Sequence, residues 1–333
     1  MSLMATEAAE APEAVARFLD RNASALIELG QRLRRSSPPV ILTSARGSSD
    51  HAAGFFKYFC EIVEGVPCAS LGASVVSVYG GRLKARGAMC LTISQSGQSP
   101  DVLAVQEAAR EAGALSVALV NVADSPAARN ADICLALHAG DERSVAATKS
   151  FIVSCAAAAA IVAHWSKDAD LLAAVARLPE TLKAAAGLRW PGFGAFAAES
   201  SSMFVLGRGT GFPMALEAAL KLKETCAIHA EAYSVAEVMH GPWELMEEGF
   251  PVLVLSPDDA ARANTAEAVA KMRAAGADVR VVGGGLPFAP SGHPLLDPLS
   301  MIQTGYLEIE MLARGLGRDP DRPRLLRKVT ETL

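Results

Sequence analysis

"MCLTISQSGQSPDVLAVQEAAREAGALSVALVN", residues Met89–Asn121, is the stretch of sequence that decides the fold. It begins with an apolar run, breaks at a turn of serine, glutamine and glycine, continues as a helical pattern, and ends in a second apolar run. Apolar runs without alternation are typical of strands that are covered on both faces of a sheet. Strand, helix and strand in this order predict a right-handed crossover between two parallel strands.

The same order returns in residues Pro251–Gly284, "PVLVLSPDDAARANTAEAVAKMRAAGADVRVVGG", where an apolar run again breaks at a serine. Both helical patterns end at Ala-Gly-Ala, and the glycines, Gly113 and Gly276, are 163 positions apart. A second pair gives nearly the same offset, because Arg46 and Arg208 each follow an apolar run and are 162 positions apart. The two pairs indicate an internal duplication of about 160 residues.

Each half of the duplication reads strand, helix, strand, helix, strand. The predicted strands are the runs "VILTS", "CLTIS", "SVALV", "MFVLG", "VLVLS" and "VRVVG". This predicts an α/β fold of two tandem doubly wound parallel sheets, flavodoxin-like, with three layers α/β/α. The predicted segments are an N-terminal helical segment (1–35, with one amphipathic helix over 8–35), a first domain (36–170), a linker helix (171–200), a second domain (201–315) and a C-terminal tail (316–333) that contributes to the active site.

Composition places the chain among soluble globular proteins, since 51% of its 333 residues are apolar and 20% are charged. The net charge of −5 gives no electrostatic reason to expect nucleic acid or an anionic membrane as a partner. The six cysteines form no Cys-x-x-Cys pair and are predicted to be reduced core residues. The apolar run Cys155–Trp165 is too short to span a bilayer and predicts a buried helix. The N-terminus lacks the basic-then-apolar order of a signal peptide, so we expect a cytoplasmic protein. We also expect no metal and no cofactor.

Ligands of open parallel sheets bind beyond the carboxyl ends of the strands, where Ser94–Ser99 is predicted to lie. A helix that starts at Pro100 would offer unpaired N–H groups and a positive dipole end to an anion, and Gly97 would let the backbone approach it. The alternative is that Ser99 is a plain helix cap. The loop alone does not decide between phosphate binding and capping.

Two further polar loops favour phosphate binding. Ser48 and Ser49 follow the preceding predicted strand, and "SVAATKSF", residues Ser144–Phe151, places Thr148 and Lys149 before a helix. The chain lacks the Gly-Lys-Ser/Thr of a nucleotide-binding P-loop and the Gly-x-Gly-x-x-Gly of a dinucleotide site. Hydroxyl-rich loops without these motifs favour a small phosphorylated polyol as the ligand.

The second half carries the residues that are suited to acid–base chemistry. Glu217, Lys221 and Glu224 have helical spacing and would place acid, base and acid on one face. A solvated salt-bridge face is the alternative, although the neighbouring positions are mostly alanine and leucine. His240 lies in a Gly-Pro loop, where imidazole would serve as an acid or base near neutral pH or would simply face solvent. His229 and Glu231, in "HAEA", could equally be structural residues that form hydrogen bonds.

Five segments together resemble a known family: "SQSGQS", "VAATKSF", "LGRGTGFPMALEAALKLKE", "IHAEAYSVAEVMHGP" and "DPDRPRLLRKVT". They are similar to the isomerase half of glucosamine-6-phosphate synthase, which is a pair of sugar isomerase (SIS) domains. The resemblance extends from about Val40 to the C-terminus, and the block Ala215–Pro242 is its most specific part. It implies a sugar phosphate as the ligand and a homodimer with a shared active site.

The resemblance also implies individual roles. Glu224 would move the proton between C1 and C2, with Lys221 assisting. His240 would open the sugar ring from a neighbouring subunit, and Lys328 would form a Schiff base with the open-chain sugar. The residues implied to bind the sugar phosphate are Ser49, Ser94, Gln95, Ser96 and Ser99, and Val145 would line the same pocket. Ser48, Ala146, Thr148 and Glu217 complete the predicted substrate-binding set.

Two departures from the synthase pattern affect the function. Gln98 and Ser99 stand where the family usually has glutamate and threonine. The glutaminase domain is missing from this sequence, so synthesis with glutamine is not expected. The resulting prediction is deamination of glucosamine 6-phosphate to fructose 6-phosphate and ammonia. Deglycation of fructosamine 6-phosphate, plain phosphosugar isomerisation, etherase action on muramyl sugars and a non-catalytic sugar-phosphate sensor are the alternatives.

Overall fold

The computed structural model describes residues 2–328 of the chain, and these form two compact units that interleave along the sequence. The first unit comprises residues 13–142 and 149–176. The second unit comprises residues 2–12, 143–148 and 177–328. The predicted domain limits divide the chain into consecutive segments instead, and those limits stay a prediction.

The first unit contains one parallel sheet of five strands. The strands are β1 (Ile41–Ser44), β2 (Cys68–Ser70), β3 (Met89–Ser94), β4 (Leu115–Val120) and β5 (Ile133–Ala136). Their order is β2-β1-β3-β4-β5, which is the doubly wound order of flavodoxin-like sheets. β3 and β4 are the two apolar runs of the opening stretch, and they pair with Met89 opposite Leu115. The predicted parallel crossover is therefore confirmed.

Helices cover this sheet and complete the first unit. They are α2 (Ala11–Arg21, in this unit from residue 13 on), α3 (Ala23–Arg35), α4 (Ser48–Phe59), α5 (Ala73–Ser77), α6 (Pro100–Glu111), α7 (Pro126–Asn130), α8 (Lys149–Ser166) and α9 (Ala169–Ala176). Among residues 2–328, α8 alone is long and apolar enough to cross a bilayer, and 89% of its apolar window is buried inside the protein. The prediction that Cys155–Trp165 forms a buried helix is confirmed.

The second unit contains a parallel sheet of four strands in the order β7-β6-β8-β9. The strands are β6 (Ser202–Gly207), β7 (His229–Ser234), β8 (Pro251–Leu255) and β9 (Asp278–Val282). The helices of this unit are α1 (Leu3–Ala9), α10 (Leu178–Ala186), α11 (Phe193–Ala198), α12 (Gly211–Lys221), α13 (Arg262–Ala274) and α14 (Asp297–Gly315). This strand order repeats β2-β1-β3-β4 of the first sheet, as a duplicated pattern predicts.

The single helix predicted for residues 8–35 is wrong. These residues form the end of α1 and the separate helices α2 and α3, and the chain breaks between the latter two at Asn22. Asn22 is buried, and its Nδ2 donates hydrogen bonds to the carbonyl oxygens of Phe18 and Ala136, both at 3.0 Å. An asparagine side chain that bonds nearby backbone in this way competes with helix continuation.

The N-terminus of α1 is held by the C-terminal part of the second unit. The carboxylate of Asp321 accepts hydrogen bonds from the backbone N–H groups of Leu3 and Met4, both at 2.7 Å. At the other end of α1, Gln303 Nε2 of α14 donates to the carbonyl oxygen of Ala8 at 2.7 Å. Residues 316–328 otherwise run without helix or strand, and the last five residues of the predicted tail lie outside the described residues.

Candidate functional site

The serine-rich loop lies in the first unit where the sequence predicts it, between the last residue of β3 and the first residue of α6. Ser94 Oγ accepts a hydrogen bond from the Gly97 N–H at 3.0 Å, and Ser96 Oγ accepts one from the Gln98 N–H at 3.3 Å. The Gln95 carbonyl oxygen accepts a hydrogen bond from the Asn121 N–H at 3.3 Å. These bonds fix a tight loop at the carboxyl edge of the sheet.

Gly97 is required by both conformation and space. Its φ of +63° lies in the left-handed region, and a Cβ built on it would be 2.2 Å from Ser125 Oγ and 2.6 Å from Ser125 Cβ. Ser125 is itself held in place as the N-cap of α7, where its Oγ accepts a hydrogen bond from the Ala128 N–H. The loop therefore packs against the next crossover helix with no room for a side chain.

A Gly97→Ala variant is expected to lower the free energy of unfolding by about 2–3 kcal/mol, because backbone strain and a steric overlap add. Gly140→Ala is the matched control, since Gly140 also has a positive φ, of 75°, but no atom lies within 4 Å of the point where its Cβ would stand. Gly140→Ala introduces backbone strain without a steric overlap and should lower the free energy of unfolding by about 1 kcal/mol. Urea unfolding measures both, and equal costs would contradict the packing argument.

Ser99 occupies the N-cap position of α6, but its side chain makes no capping hydrogen bond. The alternative that this serine serves only as a cap therefore finds no support in the geometry. Pro100 opens the helix, as predicted, and the half-buried Ser99 hydroxyl stands beside the first turn. A helix N-terminus with an uncommitted hydroxyl is a suitable place for an anion.

The loop that carries Ser48 and Ser49 follows β1, the neighbour of β3 in the sheet. Both serines are half-buried at the start of α4, after Gly47 at a φ of 54°. Since β1 and β3 are parallel and adjacent, both serine loops leave the same edge of the sheet. A salt bridge from Arg46 to Asp101 joins the two loops, with Nη2 of Arg46 2.6 Å from the carboxylate.

Glu217, Lys221 and Glu224 form one charged cluster in the second unit. Lys221 Nζ lies 3.5 Å from Glu217 Oε1 and 2.5 Å from Glu224 Oε2. The side chains of Glu217 and Lys221 are 0% and 1% exposed, whereas that of Glu224 is 18% exposed. The alternative of a solvated helix face is therefore wrong. Charged side chains are buried this deeply only when they are paired, and this makes the cluster a candidate for function.

The backbone around Glu224 departs from the predicted continuous helix. α12 ends at Lys221, and residues Leu222–Cys226 form one turn of π-helix. Such turns are uncommon and are found frequently at functional sites. Here the wider turn begins between Lys221 and Glu224, so that Lys221 stays buried while Glu224 reaches partial exposure. Of the three charged residues, Glu224 is therefore the most exposed to solvent.

Tyr306 also belongs to this cluster, although the sequence did not predict it. It lies on α14, is fully buried, and its hydroxyl donates a hydrogen bond to Glu217 Oε1 at 3.0 Å. Next to the cluster, Lys223 Nζ donates to the carbonyl oxygen of Ala230 at 2.7 Å. Burial lowers the pKa of Lys223, and the nearby carboxylates of Glu231 and Glu224 partly oppose this.

The C-terminal tail and the polar loop that begins at Ser144 are in contact within the second unit. Lys328 Nζ donates a hydrogen bond to the Ser144 carbonyl oxygen at 2.7 Å, and the Val145 N–H donates to the Asp321 carbonyl oxygen at 3.3 Å. Ala146 and the side chain of Thr148 are buried, whereas Val145 is half-buried. Lys328, Val145, Ala146 and Thr148 thus share a unit with Glu224, and the six candidate phosphate residues of the serine loops lie in the other unit.

His240 is exposed and follows a short 3-10 helix, Glu237–Met239. Simple solvent exposure, the alternative raised above, accounts for this position in a single chain, and a role across subunits stays a prediction. His229 and Glu231 are exposed along β7.

The cysteines behave as the composition predicts. All six are free thiols, and only Cys134 is not fully buried. Burial raises the pKa of Cys90 and of Cys226 to about 11, so these thiols are protonated near neutral pH and poorly nucleophilic.

Comparison with known proteins identifies the family. The SIS domain pattern matches residues 36–164 and 197–283, which is more than half of the chain. The chain belongs to the SIS domain family. This SIS chain is also similar in sequence to curated proteins. It is 33% identical to the glutamine–fructose-6-phosphate aminotransferase (isomerizing) of Zymomonas mobilis over 85% of this chain, and 32% identical to that of Thermotoga maritima over 91%. It spans about half of their length, 50% and 53% respectively.

Solved structures with the SIS fold superpose on nearly the whole SIS chain. A proposed phosphosugar isomerase from Silicibacter pomeroyi DSS-3 has a TM-score of 0.93 and 46% identity, over 96% of this chain and 100% of that one. The C-terminal domain of the glucosamine-fructose-6-phosphate aminotransferase of Francisella tularensis has a TM-score of 0.80 and 27% identity, over 97% and 98%. The predicted α/β class with two parallel sheets is confirmed.

Proposed function

We propose that the chain is a phosphosugar isomerase and deaminase that converts glucosamine 6-phosphate to fructose 6-phosphate and ammonia. The observation that carries the proposal is the Lys221–Glu224 pair, with a buried ammonium 2.5 Å from a carboxylate that keeps partial exposure. A carboxylate in this setting is suited to take up and return a proton within one active site. The SIS family and the serine loops support a phosphosugar as the substrate.

The proposed reaction consumes one water and involves no redox step. His240, from a neighbouring subunit, assists ring opening to the aldehyde. Glu224 takes the proton from C2 and returns it to C1. In the same rearrangement a proton of the C2 ammonium passes to the aldehyde oxygen, so that C1 becomes a hydroxymethyl group and the C2 amine becomes an iminium. Lys328 Nζ then displaces ammonia from C2, and water hydrolyses the resulting Schiff base to release fructose 6-phosphate and the free lysine.

The remaining roles are proposals of the same kind. Ser48, Ser49, Ser94, Gln95, Ser96 and Ser99 bind the phosphate group. The two sheets with their repeated strand order are two SIS domains of one chain. A homodimer is proposed because the resemblance assigns His240 to the active site of a neighbouring subunit, and a cytoplasmic location stays a prediction.

The test is incubation of the purified chain with glucosamine 6-phosphate, with ammonia and fructose 6-phosphate assayed separately. Fructosamine 6-phosphate and glucose 6-phosphate are run in parallel. Equal amounts of both products from glucosamine 6-phosphate support the proposal. If ammonia were released from fructosamine 6-phosphate alone, the function would be deglycation. If glucose 6-phosphate alone were turned over, the function would be plain isomerisation. If the chain bound one of the three compounds but turned over none, it would be a sensor.

A further inference from the structure

Arg46 lies in the loop between β1 and α4, and none of the roles above includes its side chain. Its Nε and Nη2 donate to the same oxygen, Oδ2 of Asp101, at 2.8 Å and 2.6 Å. Asp101 stands in the first turn of α6 and its side chain is only 1% exposed, whereas that of Arg46 is 54% exposed. A buried carboxylate at the start of α6 thus fixes the half-exposed guanidinium of a residue in the β1–α4 loop.

The position of Asp101 creates a difficulty for anion binding. Its carboxylate belongs to the first turn of α6, at the helix N-terminus that would otherwise attract a phosphate. A negative charge at this point repels a second anion unless a cation neutralises it. The Asp101 carboxylate is also committed locally, because Oδ1 accepts a hydrogen bond from the Val102 N–H at 2.8 Å.

The guanidinium has donors left over. Arginine carries five N–H donors in a rigid plane, and only the Nε–H and one hydrogen of Nη2 are directed at Asp101. The other donors belong to a side chain that remains accessible to solvent at the carboxyl edge of the sheet. Arginine forks match phosphate oxygens well, and a fork that is already held in place loses little entropy on binding.

We propose that Arg46 is a phosphate-binding residue of the SIS site, and that Asp101 positions its guanidinium for this purpose. The ligand class is a phosphomonoester anion held between Ser48–Ser49 and Ser94–Ser99. The inference rests on the proposed function, because it deepens the role of the same loops. It assigns to Arg46 a direct hydrogen bond to the phosphate in addition to the neutralisation of Asp101.

The experiment measures binding by isothermal titration calorimetry at constant ionic strength, with inorganic phosphate and with glucose 6-phosphate as probes, and needs no turnover. Arg46→Gln is expected to raise Kd about 10- to 100-fold, as loss of a charge-assisted hydrogen bond does. The double variant Arg46→Gln/Asp101→Asn removes both charges, so that no buried carboxylate is left unpaired, and it is expected to recover only part of the affinity that Arg46→Gln loses. Arg129→Gln is the matched control, since Arg129 forms an exposed 2.6 Å pair with Asp124 in the same unit.

Recovery of the original affinity in the double variant would overturn the inference, because Arg46 would then act only by neutralising Asp101. An unchanged Kd in Arg46→Gln, relative to Arg129→Gln, would overturn it as well. Should the unaltered chain bind neither probe, the phosphate site of the proposed function fails together with the inference. Equal binding by all variants would contradict the role of Arg46 but not the phosphate site of the proposed function.

Discussion

A Glu224→Gln variant is expected to convert glucosamine 6-phosphate about 10³-fold more slowly than the unaltered chain, measured as kcat/KM. Glutamine keeps the size and shape of the side chain but cannot take up the C2 proton. Glu217 is fully buried and already accepts the Tyr306 hydroxyl, so it is not placed to substitute for Glu224. Deuterium incorporation at C1 from heavy water follows the proton transfer itself and should fall in parallel.

The control for this variant is Glu247→Gln, which removes an exposed carboxylate from the same unit and should leave turnover unchanged. Urea unfolding of both variants separates loss of chemistry from loss of fold. If folded Glu224→Gln retained more than a tenth of the original kcat/KM, Glu224 would not be the base of the reaction.

Lys221→Met is expected to lower the free energy of unfolding by about 3–5 kcal/mol, the usual cost of removing one partner of a buried ion pair. Methionine fills a similar volume, but it deprives the Glu217 carboxylate of the ammonium that lies 3.5 Å away in the unaltered chain. The carboxyl group of Glu217 must then bind a proton or stay charged in the interior. Urea unfolding measures the loss, and turnover should fall as well because Glu224 loses its 2.5 Å partner.

Lys271→Met is the control for this charge removal. Lys271 also pairs with a glutamate four residues earlier on a helix, Glu267, but both side chains are more than half exposed. Exposed pairs of this kind contribute little, and the control should leave the free energy of unfolding nearly unchanged. Similar losses in the two variants would mean that burial of Lys221 does not determine its contribution.

The sequence predicted strands well where both faces of the sheet are covered. All six predicted runs are strands, and they include every central strand of both sheets. The three strands that were missed, β2, β5 and β7, lie at sheet edges. β2 has three residues and β5 four, and β7 reads "HAEAYS", with exposed His229 and Glu231 next to buried Ala230. Edge strands need no continuous apolar run, so their pattern is weak.

The parts of the candidate site that consist of residues close together in the sequence were predictable. The serine loops follow from strand ends and helix starts, and the spacing of Glu217, Lys221 and Glu224 places them together. Tyr306 was out of reach, because its partner Glu217 is 89 positions away and a buried tyrosine is ordinary in a helix. The Arg46–Asp101 pair likewise depends on the pairing of β1 with β3, which sequence periodicity does not determine.

The attachment of α1 to the far end of the chain has a consequence for synthesis on the ribosome. α1 is made before the groups that hold it, Gln303 and Asp321, and Gln303 comes 295 positions after Ala8. At translation rates of about 5–20 residues per second, this segment waits roughly 15–60 seconds for its partners. The first unit can close around its own sheet in that time, whereas the second unit is completed only when the C-terminal part of the chain has emerged.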